Sequence, residues 1–374
     1  MRIQLTARQK RDQAAFRAFV EAEIVPYAAQ FDQEERLPAE IIGKLTAAGY
    51  LGALLPETVG GLGMEMITFG LLHEEVGRGC SSVRSLLTVH SMVAYAILRW
   101  GSREQKACWL PKLGRGEVIA AFGLSEPAVG SDAKSIQTTA VQQDDGYVLT
   151  GQKRWITGGQ IAGLFLIFAQ CAGKATAFLV ERERQGLRTE PIRGLLGTRG
   201  SMLAEVHLDH CWVPAGNRLG GVGFGFTAVA LSALDVGRYS VACGCVGIGR
   251  ACLEASLQYS NQRQQFGVYL KDHQLIQQMI TNMITNVRAA TLLCYEAGYL
   301  KETNSSRAAQ AVLVAKYFAS TMATQAANDA VQIHGANGCS REYPVQRYLR
   351  DAKIMEIIEG STQIQQLLIA GGAY

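Results

Sequence analysis

Apolar residues recur with a different period in each of three successive parts of the chain. Through residue 118 they repeat at helical spacing, which is typical of amphipathic helices. From 119 to 222, short apolar runs are separated by Gly-rich turns, which indicates strands. Beyond residue 222 the helical period returns in long segments. The order of helices, strands and helices predicts an α+β protein whose domains comprise residues 1–118, 119–222 and 223–374.

The central part of the chain carries the strand signals. Residues 146–151 read as a turn, a short strand and a second turn, and residues 164–169 and 177–180 are short apolar runs. Residues 203–213 alternate between apolar and polar positions instead, which predicts a strand with one buried face. The side chains predicted to share that face are Val206, Leu208, His210 and Trp212.

Composition excludes several classes of protein. Of the 374 residues 48% are apolar and 18% are charged, and the net charge is only +4, as in an ordinary globular protein. Lysines and arginines are interspersed with acids, so neither nucleic acid nor a membrane surface is an expected partner. The N-terminus, MRIQLTARQKRDQ, lacks the apolar core of a signal peptide, and no apolar run reaches membrane-spanning length.

Cysteine and histidine usage argues against a metal site. The nine cysteines are an odd number without zinc-type spacing, and the six histidines form no pair with ligand spacing on one helix face. We therefore expect reduced thiols, a cytoplasmic location and no bound metal.

Four motifs carry candidate chemistry, and the first is FGLSEPAVGSD at residues 122–132. It combines small hydroxyl residues and glycines with a proline turn. Such a turn presents backbone N–H groups and hydroxyls to a phosphate or to a polar planar ring. A plain surface turn explains the same residues.

Two further motifs contain an aromatic residue. In QKRWITGG, Trp155 and Thr157 are two residues apart on a predicted strand and so point the same way. The indole would cover a flat ring while the hydroxyl bonds its edge, although a Trp is often a core residue. In RQQFG, Arg263 follows a predicted helix and is able to pair with a phosphate. A solvated helix end is the alternative for this motif.

The fourth motif, MEIIEGSTQIQQ, places Glu359 between isoleucines and Gly360. The residues Thr362 to Gln365 read as a capping box, so a new helix is expected just after Gly360. A carboxylate at such a break, in apolar surroundings, has a raised pKa that suits proton abstraction near neutral pH. An exposed glutamate at a helix end is the alternative.

Taken in order, LSEPAVGSD, KRWIT, RQQFG and IIEGSTQIQ resemble motifs of the acyl-CoA dehydrogenase superfamily, and the resemblance covers nearly the whole chain. It implies an N-terminal helical domain, a central β-barrel-like domain and a C-terminal four-helix bundle. It also implies FAD bound at the subunit interface of a homodimer or homotetramer. The electron acceptor would be an electron-transfer flavoprotein or oxygen.

The same resemblance assigns residues to the cofactor. Leu124 and Ser125 are expected to hydrogen-bond the flavin ring, with Ser125 standing where the family usually has Thr, and Ser131 is expected to touch the pyrophosphate. Trp155 would back the flavin and Thr157 would bond near its reactive nitrogen. The other expected contacts are Arg263, Phe266, Gln274 and Gln332 from a neighbouring subunit and Ser361 and Gln363 from the same subunit.

By resemblance to IYEGT-x-QIQ, Glu359 is the catalytic base. It would remove the proton α to a thioester carbonyl while a hydride leaves for flavin N5. Some family members carry the base on a helix with the pattern LD-x-x-R, here LDVGR, in which Gly237 occupies that position. Glu359 is therefore the expected base, and Asp235 and Arg238 are expected at the substrate site.

Arg84 and Thr88 bear on the substrate. They lie one helical turn apart and resemble the pair with which glutaryl-CoA dehydrogenase holds the distal carboxylate of its substrate. A hydrocarbon acyl chain needs no arginine, whereas an acidic group would accept charge-assisted hydrogen bonds. The alternative is that Arg84 caps a turn at the surface.

The C-terminal segment departs from the usual β-oxidation pattern at His334, Ala336 and Cys339. It resembles the branch that acts on acyl groups tethered to carrier proteins and helps to make hydroxymalonyl or aminomalonyl units for polyketide and peptide antibiotics. In that setting the enzyme would oxidise a three-carbon semialdehyde thioester, and Arg84 would hold the new carboxylate. Glu359 would take a proton from a hydroxyl or from carbon.

Three interpretations follow. The first is an acyl dehydrogenase whose partner is an acyl carrier protein in a biosynthetic pathway. The second is a short-chain or dicarboxylic acyl-CoA dehydrogenase of catabolism, similar to the glutaryl-CoA enzyme. The third is a non-catalytic flavoprotein of this fold that binds nucleic acid, against which the intact Glu359 and the lack of a basic patch argue.

Overall fold

The computed structural model describes residues 4–374, and they begin with a helical domain. Helix α1 starts at a capping box, in which the Thr6 hydroxyl accepts from the Gln9 N–H and the Gln9 side chain accepts from the Thr6 N–H. The helices described in this domain are α1 (Ala7–Glu23), α2 (Ala28–Glu34), α3 (Ala39–Ala47), α4 (Met66–Gly79), α5 (Ser81–Trp100) and α6 (Arg103–Gly114).

A sheet follows the helical domain. Its hydrogen-bonded path runs β6-β7-β3-β2-β4-β5-β8, and β1 joins β4 in parallel. The path has β6 and β8 at its ends, and this sheet is the central β-domain expected from the sequence. The strands are β1 (Ala120–Gly123), β2 (Thr139–Gln143), β3 (Gly146–Ile156), β4 (Leu164–Cys171), β5 (Lys174–Glu181), β6 (Leu187–Pro191), β7 (Ala204–Pro214) and β8 (Arg218–Leu219).

A β-bulge in β7 changes which side chains are buried. Two residues of β7 oppose one of β3, and His210, the second of the two, has a left-handed φ of 48°. Before the bulge Val206 and Leu208 are buried, and after it Cys211 is buried while Trp212 is exposed. The prediction that His210 and Trp212 share the face of Val206 and Leu208 was wrong, because one extra residue inverts the alternation.

The C-terminal domain is helical. One π-helical turn, Gly225–Ala230, leads into α7, which packs against α4, α5, α8 and α9. The segment Gly225–Gln262 is long and apolar enough to cross a membrane, but 72% of its apolar window is buried inside the protein, so it is a core helix. The long helices are α7 (Leu231–Gln262), α8 (Gln274–Glu302) and α9 (Ala308–His334), followed by the short α10 (Val345–Met355) and α11 (Thr362–Gly371).

Helix α5 joins the domains. Its first half, including Val83 and Leu86, belongs to the core shared with the bundle, whereas Val93 and Ile97 belong to the core shared with the sheet. Between the two halves, His90 is fully buried and accepts from the Ala120 N–H through Nδ1 at 3.2 Å, so its Nε2 donates to a carbonyl of α6. Burial lowers the pKa of His90 to about 4, and the ring is neutral. This helix therefore holds the sheet and the bundle in a fixed relation.

Candidate active site

Glu359 lies in the connection between α10 and α11, which we call the base turn (residues 356–361). Helix α10 ends at Met355, and α11 begins at Thr362. Within the turn both Glu359 and Gly360 have left-handed backbones, with φ of 57° and 94°. A left-handed glutamate is unusual and needs support from its surroundings.

The start of α11 differs from the sequence prediction by one residue. Ser361 is the N-cap, and its hydroxyl accepts from the Ile364 N–H at 3.4 Å. The predicted capping box at Thr362 was wrong, because the buried Gln365 turns back toward the base turn instead. Both expected cofactor contacts lie at this end of α11. Ser361 is the last residue of the base turn and is half-buried, and Gln363 is in the first turn of the helix and is exposed.

The carboxylate of Glu359 points into the protein. Its Oε2 is buried and has no hydrogen-bond partner among the described residues. It lies against α7, where a Cβ added to Gly237 would stand only 2.6 Å from that oxygen. Burial raises the pKa of Glu359 to about 7, while the charges of Arg238, Arg84 and Lys316 act in the opposite direction. The carboxylate is therefore divided between its two protonation states near neutral pH.

Side chains of three helices fix the backbone of the base turn. The Glu359 carbonyl accepts from Arg238 Nε at 3.0 Å and from Gln365 Nε2 at 3.1 Å. The Gly360 carbonyl accepts from Lys316 Nζ at 2.8 Å and from Gln365 Nε2 at 3.1 Å. Sequence reasoning missed Lys316 and Gln365, since Lys316 is fully buried on α9 at a position where a helical lysine is normally solvated.

Arg84 is buried on α5, with only 1% of its surface exposed, which excludes the surface-turn alternative. It donates to Thr88 Oγ1 at 3.0 Å and to Ser85 Oγ at 2.8 Å, and it contacts Met355 Sδ at 3.3 Å. Its Nε has no partner, and in the described part of the chain no carboxylate lies within ion-pair distance of it. Burial lowers the pKa of Arg84, as expected for a cation without a counter-charge.

Arg84 and Glu359 face the same side of α7. Glu359 lies over Gly237, and Arg84 lies over Gly244, where an added Cβ would stand 2.4 Å from its Cδ. The Thr88 and Ser240 hydroxyls lie 3.0 Å apart, and Ser240 donates to the Gly237 carbonyl at 2.8 Å. Because Ser240 is about one helical turn from Gly237, roughly 5 Å along the axis, the guanidinium reaches close to the base.

His73 is a second buried polar group beside Arg84 that the sequence did not indicate. It is fully buried on α4, and neither ring nitrogen has a partner among the residues described. Burial and the Arg84 charge lower its pKa well below the ordinary value. The neutral ring packs edge-on to Phe69 at 4.4 Å, so it adds no charge to the site.

Asp235, expected at the substrate site, is turned outward. It forms an ion pair with Lys301 of α8, and its side chain is 30% exposed. It borders a surface cavity of about 400 Å³, whose lining also includes Tyr95, Arg99 and Trp100. Asp235 thus lies at the mouth of this cavity, one helical turn from Arg238.

Trp155 is positioned by a second β-bulge. Two residues of β3 oppose one of β7, and Trp155, the second of them, has a φ of 63° and is 49% exposed. Thr157 lies beyond the end of β3, so the argument that both side chains point the same way along a strand does not apply. After it, Gly158 packs on Leu86 of α5, which carries the end of β3 toward the bundle.

We call residues 124–132 the flavin turn, after the cofactor contact that the sequence predicts for it. Its backbone is fastened to β3: the Ser125 carbonyl accepts from the Arg154 N–H at 2.9 Å, and the Leu124 carbonyl accepts from Lys153 Nζ at 3.3 Å. Lys153 also pairs with Glu126 at 2.6 Å, and both side chains are buried. Burial would raise the pKa of Glu126, but hydrogen bonds from Lys153 and Thr138 hold it below its ordinary value.

The residues around the flavin turn fit the expected cofactor. The hydroxyls of Ser125, Ser131 and Thr157 form no hydrogen bond within residues 4–374, and the turn itself is half open to solvent. Beside them the Trp155 indole presents an exposed aromatic surface. Free donors next to a flat ring suit a planar heterocycle with a phosphate tail.

The remaining expected cofactor residues form a separate group. Gln264–Gln265 and Val268–Tyr269 make a hairpin whose two-residue loop has positive φ at both Phe266 and Gly267. Phe266 at the tip is 96% exposed. In the structure described, no hydrogen bond or aromatic contact joins this group to the flavin turn. The group's other members, Arg263, Gln274 and Gln332, are exposed as well.

One group of potential metal ligands lies on the sheet. Ligand atoms of Glu190, Glu205 and His207 stand within 4.8 Å of one another. Glu205 already accepts from Gln152 at 2.5 Å and pairs with Arg154 at 3.1 Å. These contacts account for the group as part of the support for the bulged strand.

Comparison with known proteins agrees with this arrangement. Models described as the N-terminal, middle and C-terminal domains of acyl-CoA dehydrogenase match residues 6–117, 121–211 and 223–374. The chain is 39% identical to the probable acyl-CoA dehydrogenase YngJ of Bacillus subtilis (strain 168), over 99% of each chain. It is 37% identical to the glutaryl-CoA dehydrogenase of Desulfococcus multivorans, over 96% of this chain and 94% of that protein.

The chain is also similar to a solved structure. FkbI, described as serving biosynthesis of the methoxymalonyl extender unit of the polyketide Fk520, superposes with a TM-score of 0.88 at 33% identity, over 96% of this chain and 98% of that one. The three domains, their order and these matches show that the chain belongs to the acyl-CoA dehydrogenase family and is an FAD-dependent oxidoreductase.

Proposed function

We propose that this enzyme dehydrogenates a short acyl thioester that carries a second, anionic group. The buried Arg84 without a counter-charge is the observation that supports this substrate class. A buried cation costs several kcal/mol unless a partner compensates it, and among the described residues no carboxylate lies within ion-pair distance of Arg84. A substrate carboxylate would accept two charge-assisted hydrogen bonds from it.

The distance between Arg84 and Glu359 limits the length of the acyl group. The Arg84–Thr88–Ser240 contacts place the guanidinium about one helical turn from Gly237, against which the Glu359 carboxylate lies. An acyl chain with only a few carbons between its α-carbon and its acidic end spans such a distance. Glutaryl and methoxymalonyl groups, named in the similar proteins, both have a second carboxyl group.

In this proposal Glu359 accepts the substrate proton. Its pKa of about 7 gives it both the ionised form and the basicity that the step needs near neutral pH. Arg238, Gln365 and Lys316 orient it through the carbonyls of the base turn. Leu124, Ser125, Trp155 and Thr157 would hold the flavin of FAD, which supplies the two-electron oxidant when bound.

We propose further that the acyl group is presented by an acyl carrier protein for antibiotic biosynthesis. The resemblance of the C-terminal segment and the likeness to FkbI support this. Two of the distinguishing residues, Ala336 and Cys339, are exposed, and His334 stacks on Tyr259 at 4.2 Å. These residues support the proposal as a resemblance of the C-terminal segment to that branch of the family. The second candidate, a CoA thioester of a short dicarboxylic acid, is favoured by the 37% identity to a glutaryl-CoA dehydrogenase.

The proposed oligomer, location and electron acceptor rest on other features of the chain. The exposed Phe266 and the separation of the two cofactor groups support an oligomer in which Arg263, Phe266, Gln274 and Gln332 complete the FAD site of a neighbouring subunit. Nine unpaired cysteines support a cytoplasmic location. We propose an electron-transfer flavoprotein or oxygen as the acceptor.

Anaerobic bleaching of the oxidised flavin tests the proposal. One panel contains short acyl-CoAs with and without a distal carboxylate, including butyryl-CoA and glutaryl-CoA. The other contains hydroxy- and amino-semialdehyde thioesters of three carbons on a carrier protein. Bleaching by carrier-bound thioesters alone supports the biosynthetic function. Bleaching by glutaryl-CoA supports the second candidate, and equal bleaching by butyryl-CoA would contradict the role of Arg84.

A further inference from the structure

We infer that Lys316 is a positioning residue whose positive charge favours the ionised form of Glu359 and whose hydrogen bond fixes the base turn. This inference rests on the proposed role of Glu359 as the base. Neither the sequence motifs nor the family resemblance drew attention to Lys316, which lies in the middle of α9. Only the structure shows that its side chain reaches the base turn.

The geometry ties Lys316 to the turn that bears the base. Its ammonium group is fully buried and donates to the Gly360 carbonyl at 2.8 Å. That carbonyl belongs to the residue after Glu359, in the left-handed segment. An ammonium group has three N–H donors, and the other two form no hydrogen bond with the described residues. Burial of an incompletely bonded cation is costly, which indicates a function for the charge.

Three cations favour the anion of Glu359, and Arg238 of α7 and Arg84 of α5 contribute more than Lys316 of α9 does. Among residues 4–374 no second carboxylate opposes them at Glu359. Arg84 is committed to the substrate in our proposal, and Arg238 also faces Asp235. Lys316 therefore adds its charge to those of Arg238 and Arg84, and within the described residues it forms no ion pair with any carboxylate.

The groups that face Lys316 agree with this role. They are Cys245 and Arg238 of α7, and Glu359 and Glu356 of the base turn. Glu356 is paired with Lys353 at 2.7 Å, and burial raises the pKa of Cys245 to about 12, so that thiol is neutral. Burial also lowers the pKa of Lys316 to about 8, yet it still binds its proton at neutral pH.

Two substitutions separate the charge from the hydrogen bond. Lys316→Met removes both, whereas Lys316→Gln removes the charge and keeps an N–H donor for the Gly360 carbonyl. Lys316→Arg keeps the charge and is the conservative control. The protonation of Glu359 is followed in the FAD-loaded enzyme by infrared titration of the carboxyl C=O band, assigned as the band that disappears in Glu359→Gln.

We expect the midpoint of this band to rise by about one pH unit in Lys316→Met and Lys316→Gln, because a carboxylate loses a nearby positive charge. Lys316→Arg should restore it to within a few tenths of a unit. The pH at which kcat/KM reaches half of its maximum should rise as well. An unchanged midpoint in both neutral variants would overturn the inference.

The test remains informative if the proposed function fails. A Glu359→Gln enzyme that retains full activity would show that Glu359 is not the base. The infrared midpoint would still report whether Lys316 controls its ionisation. If Lys316→Met does not fold, Lys316→Gln decides the question, since it preserves the bond to the turn.

Discussion

The flavin turn and the base turn are each held by a fully buried lysine, but the two lysines differ in their counter-charge. Lys153 donates to the Leu124 carbonyl and pairs with Glu126 at 2.6 Å. Lys316 donates to the Gly360 carbonyl, and within the described residues it has no carboxylate at ion-pair distance. Burial lowers the pKa of both lysines to about 8.

The first lysine therefore has a structural role, whereas the charge of the second acts on a group proposed to take part in the reaction. In the sheet the positive charge is neutralised by a neighbour, so it fastens the turn without affecting its surroundings. Around the base turn three cations, Arg84, Arg238 and Lys316, face the carboxylate of Glu359. The excess of positive charge there favours anions, which suits both an ionised base and an acidic substrate.

The largest expected effect is on the base itself. Glu359→Gln should reduce the rate of flavin reduction by about 10²–10⁴-fold, because a positioned general base is lost. The flavin turn is untouched, so the variant should bind FAD with its normal absorbance. Stopped-flow reduction and FAD content measure the two quantities. Wild-type turnover in the variant would show that the base turn has no chemical role.

The two lysines should respond differently to the same substitution. Lys153→Met leaves the Glu126 carboxylate buried without its ion pair. The unfolding free energy should fall by about 3–5 kcal/mol, and the variant should retain less FAD. Lys316→Met leaves no unpaired charge, and the Gly360 carbonyl still accepts from Gln365 Nε2, so the unfolding free energy should fall by less than in Lys153→Met. Denaturant unfolding of both variants, with the double variant Lys153→Met/Glu126→Gln as the matched control, checks this. Equal destabilisation by both would remove the distinction drawn above.

Arg84→Ala tests whether the unpaired cation serves the substrate. For an acidic thioester, kcat/KM should fall by a factor that corresponds to about 2–5 kcal/mol of lost transition-state stabilisation, since a buried charged contact is lost. A butyryl thioester should show no comparable loss. Arg115→Ala, whose side chain is 53% exposed, is the control. A similar loss with both thioesters would indicate a structural role for Arg84.

The pH dependence of wild-type kcat/KM reports the base directly. A carboxylate base works only when ionised, so activity should rise with pH through about 7, the pKa of Glu359 in the free enzyme. Below that value the rate should fall about tenfold per pH unit. A profile that rises near pH 4.5 would mean that the carboxylate is solvated as in water.

The smallest expected effect comes from the side of α7. In Gly237→Ala the new methyl group would stand 2.6 Å from Glu359 Oε2, so the base must move and kcat/KM should fall by about tenfold. Gly43→Ala on α3 meets no atom within 4 Å and should raise stability by about 0.5–1 kcal/mol without affecting activity. Steady-state kinetics and thermal unfolding compare the pair.

The long helices were predictable because their periodicity is set by burial of one face. The long helical segments predicted beyond residue 222 are observed, among them Gln274–Glu302 and Ala308–His334. The strand face at His210 was not predictable, because a bulge inserts one residue and leaves no reliable trace in an alternating pattern. For the same reason Trp155 and Thr157 are related by a bulge and a turn, and strand alternation does not describe them.

Within the site, sequence reasoning found side chains with an obvious chemical signature. The family resemblance singled out Arg84 and Thr88, which the structure places in contact, and the apolar neighbours of Glu359 predicted its raised pKa. Lys316 carried no such signal, because burial of a helical lysine depends on what packs over it. Gln365 was assigned to a capping box, and only the fold shows its side chain reaching the carbonyls of the base turn.

The contact between Gly237 and Glu359 also restricts how such an enzyme can change over time. Because the α7 position has no room for a side chain beside the existing carboxylate, an acid at 237 and an acid at 359 exclude each other. Moving the base from one helix to the other therefore requires two substitutions. Either order passes through a crowded form with two acids or an inactive form with none. This steric exclusion would act as a barrier between the two arrangements and would tend to preserve whichever one a lineage acquired first.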